Sequence, residues 1–203
     1  MNLALEALRQ HPALWSSPGE REALPTGFED LDRLLPGGGW PVGALIEVLG
    51  AREGVGELRL LVPALARLTR QRRFAVWISP PHIPYGPALA ACGVDLPRVL
   101  VVRPPTPEDG LWAAEQALGS GTSGAVLAWV GEAPDRSLRR LQLAAERGKS
   151  LGFLFRPVRA ADRPSPAALR LAVEPAEGGL AVHVLKGREA GRGVVLGRGV
   201  PAS

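Results

Sequence analysis

The segment GAREGVGELRLL, residues 50–61, decides how the rest of the chain is interpreted. It follows an apolar run at residues 45–49 and leads into a helix-like run that begins near Glu57. A strand, a glycine-rich turn and a helix are the setting of a phosphate-binding loop, in which Lys and then Ser or Thr follow the last glycine. Glu57 and Leu58 stand in those two places. The sequence therefore keeps the frame of a nucleotide site without the side chains that hold phosphate and magnesium.

The glycines of this loop are kept at Gly50, Gly54 and Gly56, with one extra residue between the first and the last. A carboxylate beside a triphosphate repels it. The same carboxylate is favourable in the first turn of a helix that binds no anion. We therefore predict a degenerate P-loop, formed by these glycines with Glu57 and Leu58, that binds no cofactor and no metal.

Composition predicts one globular domain in a reducing compartment. The chain has 203 residues, of which 46% are hydrophobic and 22% charged, enough to build a full core. Its single cysteine, Cys92, has no partner for an internal disulfide, which favours a cytoplasmic location. No apolar run reaches the roughly 18 residues of a membrane span. The C-terminal half is basic, which is compatible with nucleic acid and equally with an acidic protein surface.

Strand-like and helix-like segments alternate along most of the chain. Helices are predicted at residues 26–35, 57–71, 86–93, 107–118 and 136–148, and strands at 44–49, 74–79, 99–104, 124–130 and 152–158. This alternation predicts an α/β fold with a mostly parallel sheet flanked by helices. Residues 169–174 and 180–186, which surround two glycines, predict a C-terminal antiparallel hairpin.

Three regions are expected along the chain: an N-terminal arm at residues 1–23, a core domain at 24–196 and a C-terminal tail at 197–203. The arm carries an apolar stripe of Leu3, Leu5 and Leu8 and then a Pro-Gly break. This pattern predicts a segment that packs on a partner rather than on the core.

Three long stretches resemble the core of the RecA recombinase, and in detail the RecA-like family of ImuA and SulA proteins. They are residues 24–50, from LPTGFEDL to IEVLG, residues 74–118, from FAVWISPP to AAEQAL, and residues 169–193, from LRLAVE to GREAGRG. These segments occur in the same order as in the RecA core over most of the chain. They resemble ImuA more closely than SulA. The resemblance implies a RecA-like fold.

The positions that carry ATP hydrolysis in RecA are altered in this sequence. Pro81 stands where the resemblance implies a water-activating glutamate, and proline performs no acid–base chemistry. Residues 129–131 stand where a magnesium-ordering aspartate is implied, with Glu132 just beyond them. Arg156 replaces the glutamine that senses the nucleotide in RecA. We therefore predict that the protein is not an enzyme.

The two DNA-binding loops of RecA are also shortened here, to residues 131–137 and 159–166. Neither segment has an aromatic side chain on which a base of single-stranded DNA would stack. Several arginines nevertheless remain in and around them. We predict that DNA binding is weak or absent.

The resemblance to ImuA implies a non-catalytic accessory protein of bacterial SOS mutagenesis and translesion DNA synthesis. The implied partners are RecA and ImuB, and indirectly an error-prone DnaE-type polymerase. The alternative is a SulA-like cell-division inhibitor that binds FtsZ.

The basic segment LKGREAGRG, residues 185–193, is predicted to bind the partner. In RecA filaments two cations at the positions of Lys186 and Arg188 reach the ATP of the neighbouring subunit. We therefore expect Lys186, Arg188 and Arg192 to contact a partner, with RecA at the end of a filament as the implied partner.

Overall fold

The computed structural model describes residues 22–187 and 189–197. Within them the strands are β1 (Ala23–Leu24), β2 (Trp40–Pro41), β3 (Ala44–Gly50), β4 (Phe74–Ile78), β5 (Val99–Val102), β6 (Ser123–Trp129), β7 (Leu151–Pro157), β8 (Leu169–Ala176), β9 (Gly179–Lys186) and β10 (Gly193–Gly197). The α-helices are α1 (Glu29–Asp32), α2 (Val62–Arg70), α3 (Gly86–Ala91), α4 (Pro107–Gly119) and α5 (Asp135–Gly148).

An eight-stranded mixed sheet forms the centre of the molecule. Its strand order is β10-β9-β8-β3-β7-β6-β4-β5. Strands β3 to β8 run parallel to their neighbours among themselves, whereas β9 pairs antiparallel with β8, and β10 antiparallel with β9. Strand β3, which leads into the glycine loop, lies between β7 and β8 and is therefore central. Strands β1 and β2 form a separate antiparallel pair.

The central strands β3, β6 and β7 are buried along nearly their whole length, and because successive side chains of a strand point to opposite sides, these strands are covered on both faces of the sheet. On one face Ile46, Trp77 and Phe153 belong to a core that includes the buried side of α2. On the other face Leu45 and Val76 belong to a second core with α4 and α5. Continuous apolar strands of this kind are typical of parallel sheets covered by helices.

The predicted strands and the C-terminal hairpin appear within a few residues of their expected bounds, because buried parallel strands give long apolar runs. The predicted helix at 26–35 is wrong in length, since α1 has only four residues. Its N-cap is Phe28, whereas the predicted helix would begin at Thr26. Thr26 Oγ1 accepts a hydrogen bond from the Phe28 N–H at 3.0 Å.

The structure also contains elements that the sequence did not predict. Strand β10 pairs along β9 from Gly193↔His183 to Gly197↔Gly179 and makes the predicted hairpin a three-stranded unit. The predicted core and tail boundary at 196/197 therefore falls inside β10. The predicted arm, apart from its last two residues, lies outside the described residues, and the division into arm, core and tail stays a prediction. No helix in the described part of the chain is long and apolar enough to cross a membrane.

Candidate functional site

The glycine loop joins β3 to a short 3₁₀ turn rather than directly to an α-helix. Gly54 and Gly56 adopt positive φ angles of 75° and 102°, a region that residues with a side chain rarely occupy. The 3₁₀ turn spans Glu57–Leu60, and α2 begins only at Val62. The predicted helix start near residue 57 is therefore wrong. Pro63 lies in the first turn of α2, where its missing N–H is not needed and no bend is expected.

Glu57 closes the loop upon itself. The Gly54 N–H donates a hydrogen bond to Glu57 Oε1 at 3.0 Å, and Glu57 is only 7% exposed. The backbone amide that an anion would need is thus used by a side chain of the same loop. Leu58 packs against the core on the α2 side of the sheet, and its side chain has no atom that could bind magnesium. The geometry of these two residues agrees with a structural turn.

A cavity of about 510 Å³ opens beside this loop, and we call it the glycine-loop cavity. It lies at the carboxyl ends of the parallel strands, where α/β sheets commonly bind ligands. Side chains from four strands form its floor, and the loop forms one wall. Its lining includes Val48, Gly50, Ala51, Arg52, Glu53, Glu57, Ser79, Pro81, Trp129, Gly131, Phe155, Arg156, Pro157 and Val173.

An aromatic row crosses the sheet at the floor of the cavity. Trp129 stacks on Phe155 with ring centroids 4.4 Å apart and an interplanar angle of 10°. On its other side Trp129 stacks on Trp77 at 5.8 Å and 28°. The row arises because β4, β6 and β7 are neighbours, so their inward side chains on one face align.

The positions that the resemblance to RecA implied for catalysis have other roles here. Pro81 lines the cavity and supplies no proton acceptor. Glu132 lies on the exposed loop after β6, where Arg159 Nε bonds Oε1 at 3.1 Å and an Arg163 nitrogen bonds Oε2 at 2.6 Å. The hydrogen bond from Arg159 and the charge of Arg163 hold the pKa of Glu132 below its usual range. Glu132 is therefore a surface anion shared by two arginines.

A buried ion network joins β3, β7 and β8 beneath the cavity. Glu47 is fully buried, and its two carboxylate oxygens accept from Arg156 and Arg170, each at 2.6 Å. Ser165 Oγ donates to Glu47 Oε1 at 3.0 Å. Arg170 also donates to the backbone carbonyls of Ala160, Ala161 and Arg163. Arg156 is therefore a structural partner of Glu47.

Sequence reasoning missed Glu47 and Arg170. A glutamate in the apolar run LIEVLG and an arginine in LRLAVE both break patterns of buried strands. A charge on a buried strand needs an ionic partner. Two buried-strand charges of opposite sign could therefore have indicated from the sequence that Glu47 and Arg170 form a pair.

The predicted partner-binding cations lie at the turn between β9 and β10. Lys186 is exposed, and its Nζ donates to the Ser165 carbonyl at 2.8 Å. Arg192 is exposed and bonds Glu189 at 3.1 Å. Arg188 lies outside the described residues. Their role in partner binding stays a prediction.

No metal-binding group is found in the part of the chain that the structure describes. Three or more His, Cys, Asp or Glu side chains do not gather anywhere within residues 22–187 and 189–197 in a way that would hold an ion.

The structure is that of an α/β protein with a mixed sheet, whose glycine loop is closed by its own carboxylate. Known families include one that matches this chain. A family model described as "Cell division inhibitor SulA" matches residues 44–152, more than half of the chain. The chain belongs to the SulA family.

Individual relatives agree with the family match. The chain is 38% identical over 98 residues to the cell division inhibitor SulA of Edwardsiella piscicida, covering 48% of this chain and 58% of that protein. It is 34% identical over 116 residues to the cell division inhibitor SulA of Cronobacter sakazakii, covering 55% and 68%. The alignment thus spans about three fifths of the first relative's length.

A solved structure is also similar. It is the crystal structure of SulA from Pseudomonas aeruginosa, with a TM-score of 0.46 and 24% identity, covering 55% of this chain and 97% of that one.

The assignments to ImuA and to a RecA-like P-loop fold are wrong. The matched family is SulA, and the fold class is a SulA-like mixed sheet with helices. The order of strand, glycine turn and helix suggested a P-loop, but a purely structural strand-to-helix turn has the same order. In this turn the Glu57 carboxylate accepts from the Gly54 N–H, in the place of a bound anion.

The partners that followed from ImuA are corrected with it. RecA, ImuB and a DnaE-type polymerase are not supported as partners, and neither is translesion synthesis, because the family match is to cell-division inhibitors. The expectation that Lys186 and Arg188 reach the ATP of RecA is wrong for the same reason.

Proposed function

We propose that this chain is a cell-division inhibitor that acts by binding FtsZ. The observation that carries the proposal is the SulA family match over residues 44–152. In this role the protein acts in the cytoplasm of a bacterium during its response to DNA damage. In this role it uses no cofactor and no catalytic step, and the glycine loop closed by Glu57 supports this.

Exposed apolar side chains support action by protein contact. Eight such side chains of the described residues fall within the matched segment, and six of these lie on β5, the edge strand of the sheet, or in the segment that joins β4 to β5; we call these six the β5-edge patch. They are Ile83, Tyr85, Leu96, Leu100, Val101 and Val102. Ile83 and Tyr85 are 83% and 72% exposed. Such patches on a protein surface commonly mark a binding face for another protein.

Purified components test the proposal directly. FtsZ from the same organism is polymerised with GTP, with and without this protein, and the polymer is collected by sedimentation. We expect the protein to reduce the pelleted FtsZ in a dose-dependent way. In cells, its production should block septation and give filaments by microscopy. Normal division together with unchanged FtsZ sedimentation would contradict the proposal.

Two matched variants locate the contact. Ile83→Asp with Tyr85→Asp places charge on the β5-edge patch and should abolish the effect on FtsZ. Val158→Asp places one negative charge just after β7, where Val158 is 47% exposed and outside the matched segment, and should leave the effect intact. Circular dichroism confirms that both variants fold.

A further inference from the structure

We propose that the glycine-loop cavity binds a small protonated arylalkylamine, with its ammonium on Glu57 and its ring on the aromatic floor. This proposal concerns a ligand site and does not depend on the binding of FtsZ.

The place and size of the cavity suit a small molecule. Its floor is built by Val48 of β3, Phe155 of β7 and Val173 of β8, and Ser79 follows β4 at its side. Its volume of about 510 Å³ lies within the range of ligand pockets in proteins. Ser79 has a φ of 52°, a left-handed conformation that is costly for a residue other than glycine and is frequent at ligand sites.

The floor accepts a flat apolar group. Val48 pairs in register with Phe155, and Phe155 with Trp129, so these three side chains form a row over adjacent strands. All three line the cavity. An aromatic ring laid on this row replaces water on apolar surface, which is the favourable term in most small-molecule sites.

Glu57 gives the cavity its polar anchor. Its Oε1 accepts from Gly54, but Oε2 is buried and has no hydrogen-bond partner within the described chain. An unpaired buried carboxylate oxygen is costly, and a cationic N–H is the donor that satisfies it best. A protonated amine therefore recovers what this oxygen lacks.

Trp129 adds a second unsatisfied group. Its indole Nε1 is buried and has no acceptor among the described residues. An oxygen on the ligand's ring can accept this hydrogen bond. The two groups together select an arylalkylamine that carries a ring oxygen over one that does not.

The charges of the cavity disfavour an anion. Glu57 is buried, where its field is weakly screened, whereas Arg52 stands on the exposed rim. Arg156 already donates to Glu47 and to the Gly131 carbonyl, so its donors are largely committed. Glu53 on the rim adds a second carboxylate.

Three commercial probes test this chemistry by isothermal titration at neutral pH. Tyramine has the ammonium, the ring and the ring oxygen; phenethylamine lacks the oxygen; 4-hydroxyphenylacetate replaces the ammonium by a carboxylate. We expect tyramine to bind most tightly, phenethylamine more weakly, and the carboxylate not measurably. Absence of tyramine binding, or tighter binding of the carboxylate, overturns the proposal. Equal binding of the two amines overturns the role given to Trp129.

Variants place the ligand in the cavity. Glu57→Gln keeps an oxygen for the Gly54 N–H while removing the charge, and should weaken tyramine binding by at least about tenfold. Glu177→Gln removes an equal charge from the exposed hairpin turn and should change nothing. Val173→Phe fills the cavity and should abolish binding. Thermal unfolding checks that each variant folds; if Val173→Phe does not, unchanged tyramine binding by Glu57→Gln alone overturns the site.

Discussion

At the scale of single residues, the side chain with the greatest consequence for stability is Glu47. It lies at the middle of a central strand, fully buried, and each of its carboxylate oxygens pairs with one arginine, Arg156 or Arg170. Burial of ions costs free energy, and the network offsets this cost only while both carboxylate oxygens are bonded. Removal of the anion leaves two buried guanidinium groups without a counter-ion.

We therefore expect Glu47→Gln to lower the free energy of unfolding by about 3–5 kcal/mol. Urea denaturation followed by tryptophan fluorescence measures the change. Glu29→Gln is the matched control, because Glu29 is exposed and its contact with Arg33 is long, at 4.0 Å. An exposed pair of this kind contributes less than about 1 kcal/mol. Equal effects of the two substitutions would contradict the assigned role of the network.

The pKa of Glu132 offers a second test at this scale. Because Arg159 and Arg163 lower it in the folded state, the pairs stabilise the fold above the ordinary glutamate pKa. This contribution is lost as the pH falls through the lowered value. We expect Arg159→Gln to raise the pKa of Glu132, and the double change with Arg163→Gln to return it to the usual range. Carbon-detected NMR titration of the Glu132 carboxyl measures it, and an unchanged value in the double variant would show that the pairs do not form in solution.

At the scale of elements, two helices meet so closely that only glycine fits between them. An ideal Cβ on Gly148, at the end of α5, would lie 1.9 Å from the Leu118 carbonyl oxygen of α4. Helix propensity alone favours alanine over glycine by about 1 kcal/mol. The clash is with backbone, which has little room to move, so it outweighs propensity.

We expect Gly148→Ala to destabilise the protein by roughly 1–3 kcal/mol through overpacking. Gly197→Ala is the control, because no atom lies within 4 Å of the Cβ added there. Differential scanning calorimetry of both variants gives the comparison. A Gly148→Ala protein that melts at or above the wild-type temperature would mean that α4 and α5 are packed less closely than described.

The glycine loop makes a prediction about nucleotides. Because Glu57 binds the loop amide and Leu58 packs in the core, we expect no ATP hydrolysis and no heat on titration with Mg-ATP. The measurement is calorimetry together with a phosphate-release assay. A micromolar dissociation constant that disappears on substitution of Arg52 or Gly56 would refute this expectation.

Most strands could be predicted from the sequence, and the ends of several elements could not. Buried parallel strands such as Phe74–Ile78 are apolar on both faces, so their signal is local and strong. Strand β10 was missed because its pattern, in Gly193–Gly197, is short and glycine-bounded and becomes a strand only by pairing with β9. The start of α2 was predicted too early, because the 3₁₀ turn at Glu57–Leu60 spaces its apolar residues as an α-helix does over four residues.

The site was predicted less completely than the fold. The glycines and the loss of phosphate-binding side chains are visible in the sequence, since they are a contiguous motif. The contacts of Glu47 with Arg156 and Arg170 join residues 109 and 123 positions apart, and no local pattern encodes such a pairing. The prediction of ImuA rather than SulA was wrong, because the segments that carry the resemblance do not distinguish these two groups of proteins.

For the protein as a whole, a truncation tests whether the predicted N-terminal arm binds a partner. A truncation that begins at Glu22 keeps the hydrogen bond from the Val42 N–H to the Glu22 carbonyl, at 2.8 Å, and with it the pair of β1 and β2. We expect this truncation to leave the melting temperature nearly unchanged while weakening association with the partner, measured by analytical ultracentrifugation and pull-down. A large loss of core stability with unaltered association would contradict an arm.

The cations at the β9–β10 turn give a further test of the whole protein. We expect the double variant Lys186→Glu with Arg192→Glu to weaken partner binding. The sedimentation assay with FtsZ measures the effect. Arg33→Glu is the control, because Arg33, which directly follows α1, has a side chain 71% exposed, close to the 68% of Arg192. Full activity of the double variant would remove these two residues from the partner-binding surface.

The network around Glu47 also bears on how this chain can change over evolutionary time. Glu47, Arg156 and Arg170 stand on three adjacent strands, and loss of Glu47 alone leaves two buried cations without a counter-ion, whereas loss of one arginine leaves a neutral pair. A penalty of about 3–5 kcal/mol is a large share of the 5–15 kcal/mol that holds a domain folded. Change at Glu47 is therefore expected to be concerted: lineages that lose this carboxylate should also have replaced both arginines, and chains that keep the two arginines without an acidic residue at position 47 should be rare.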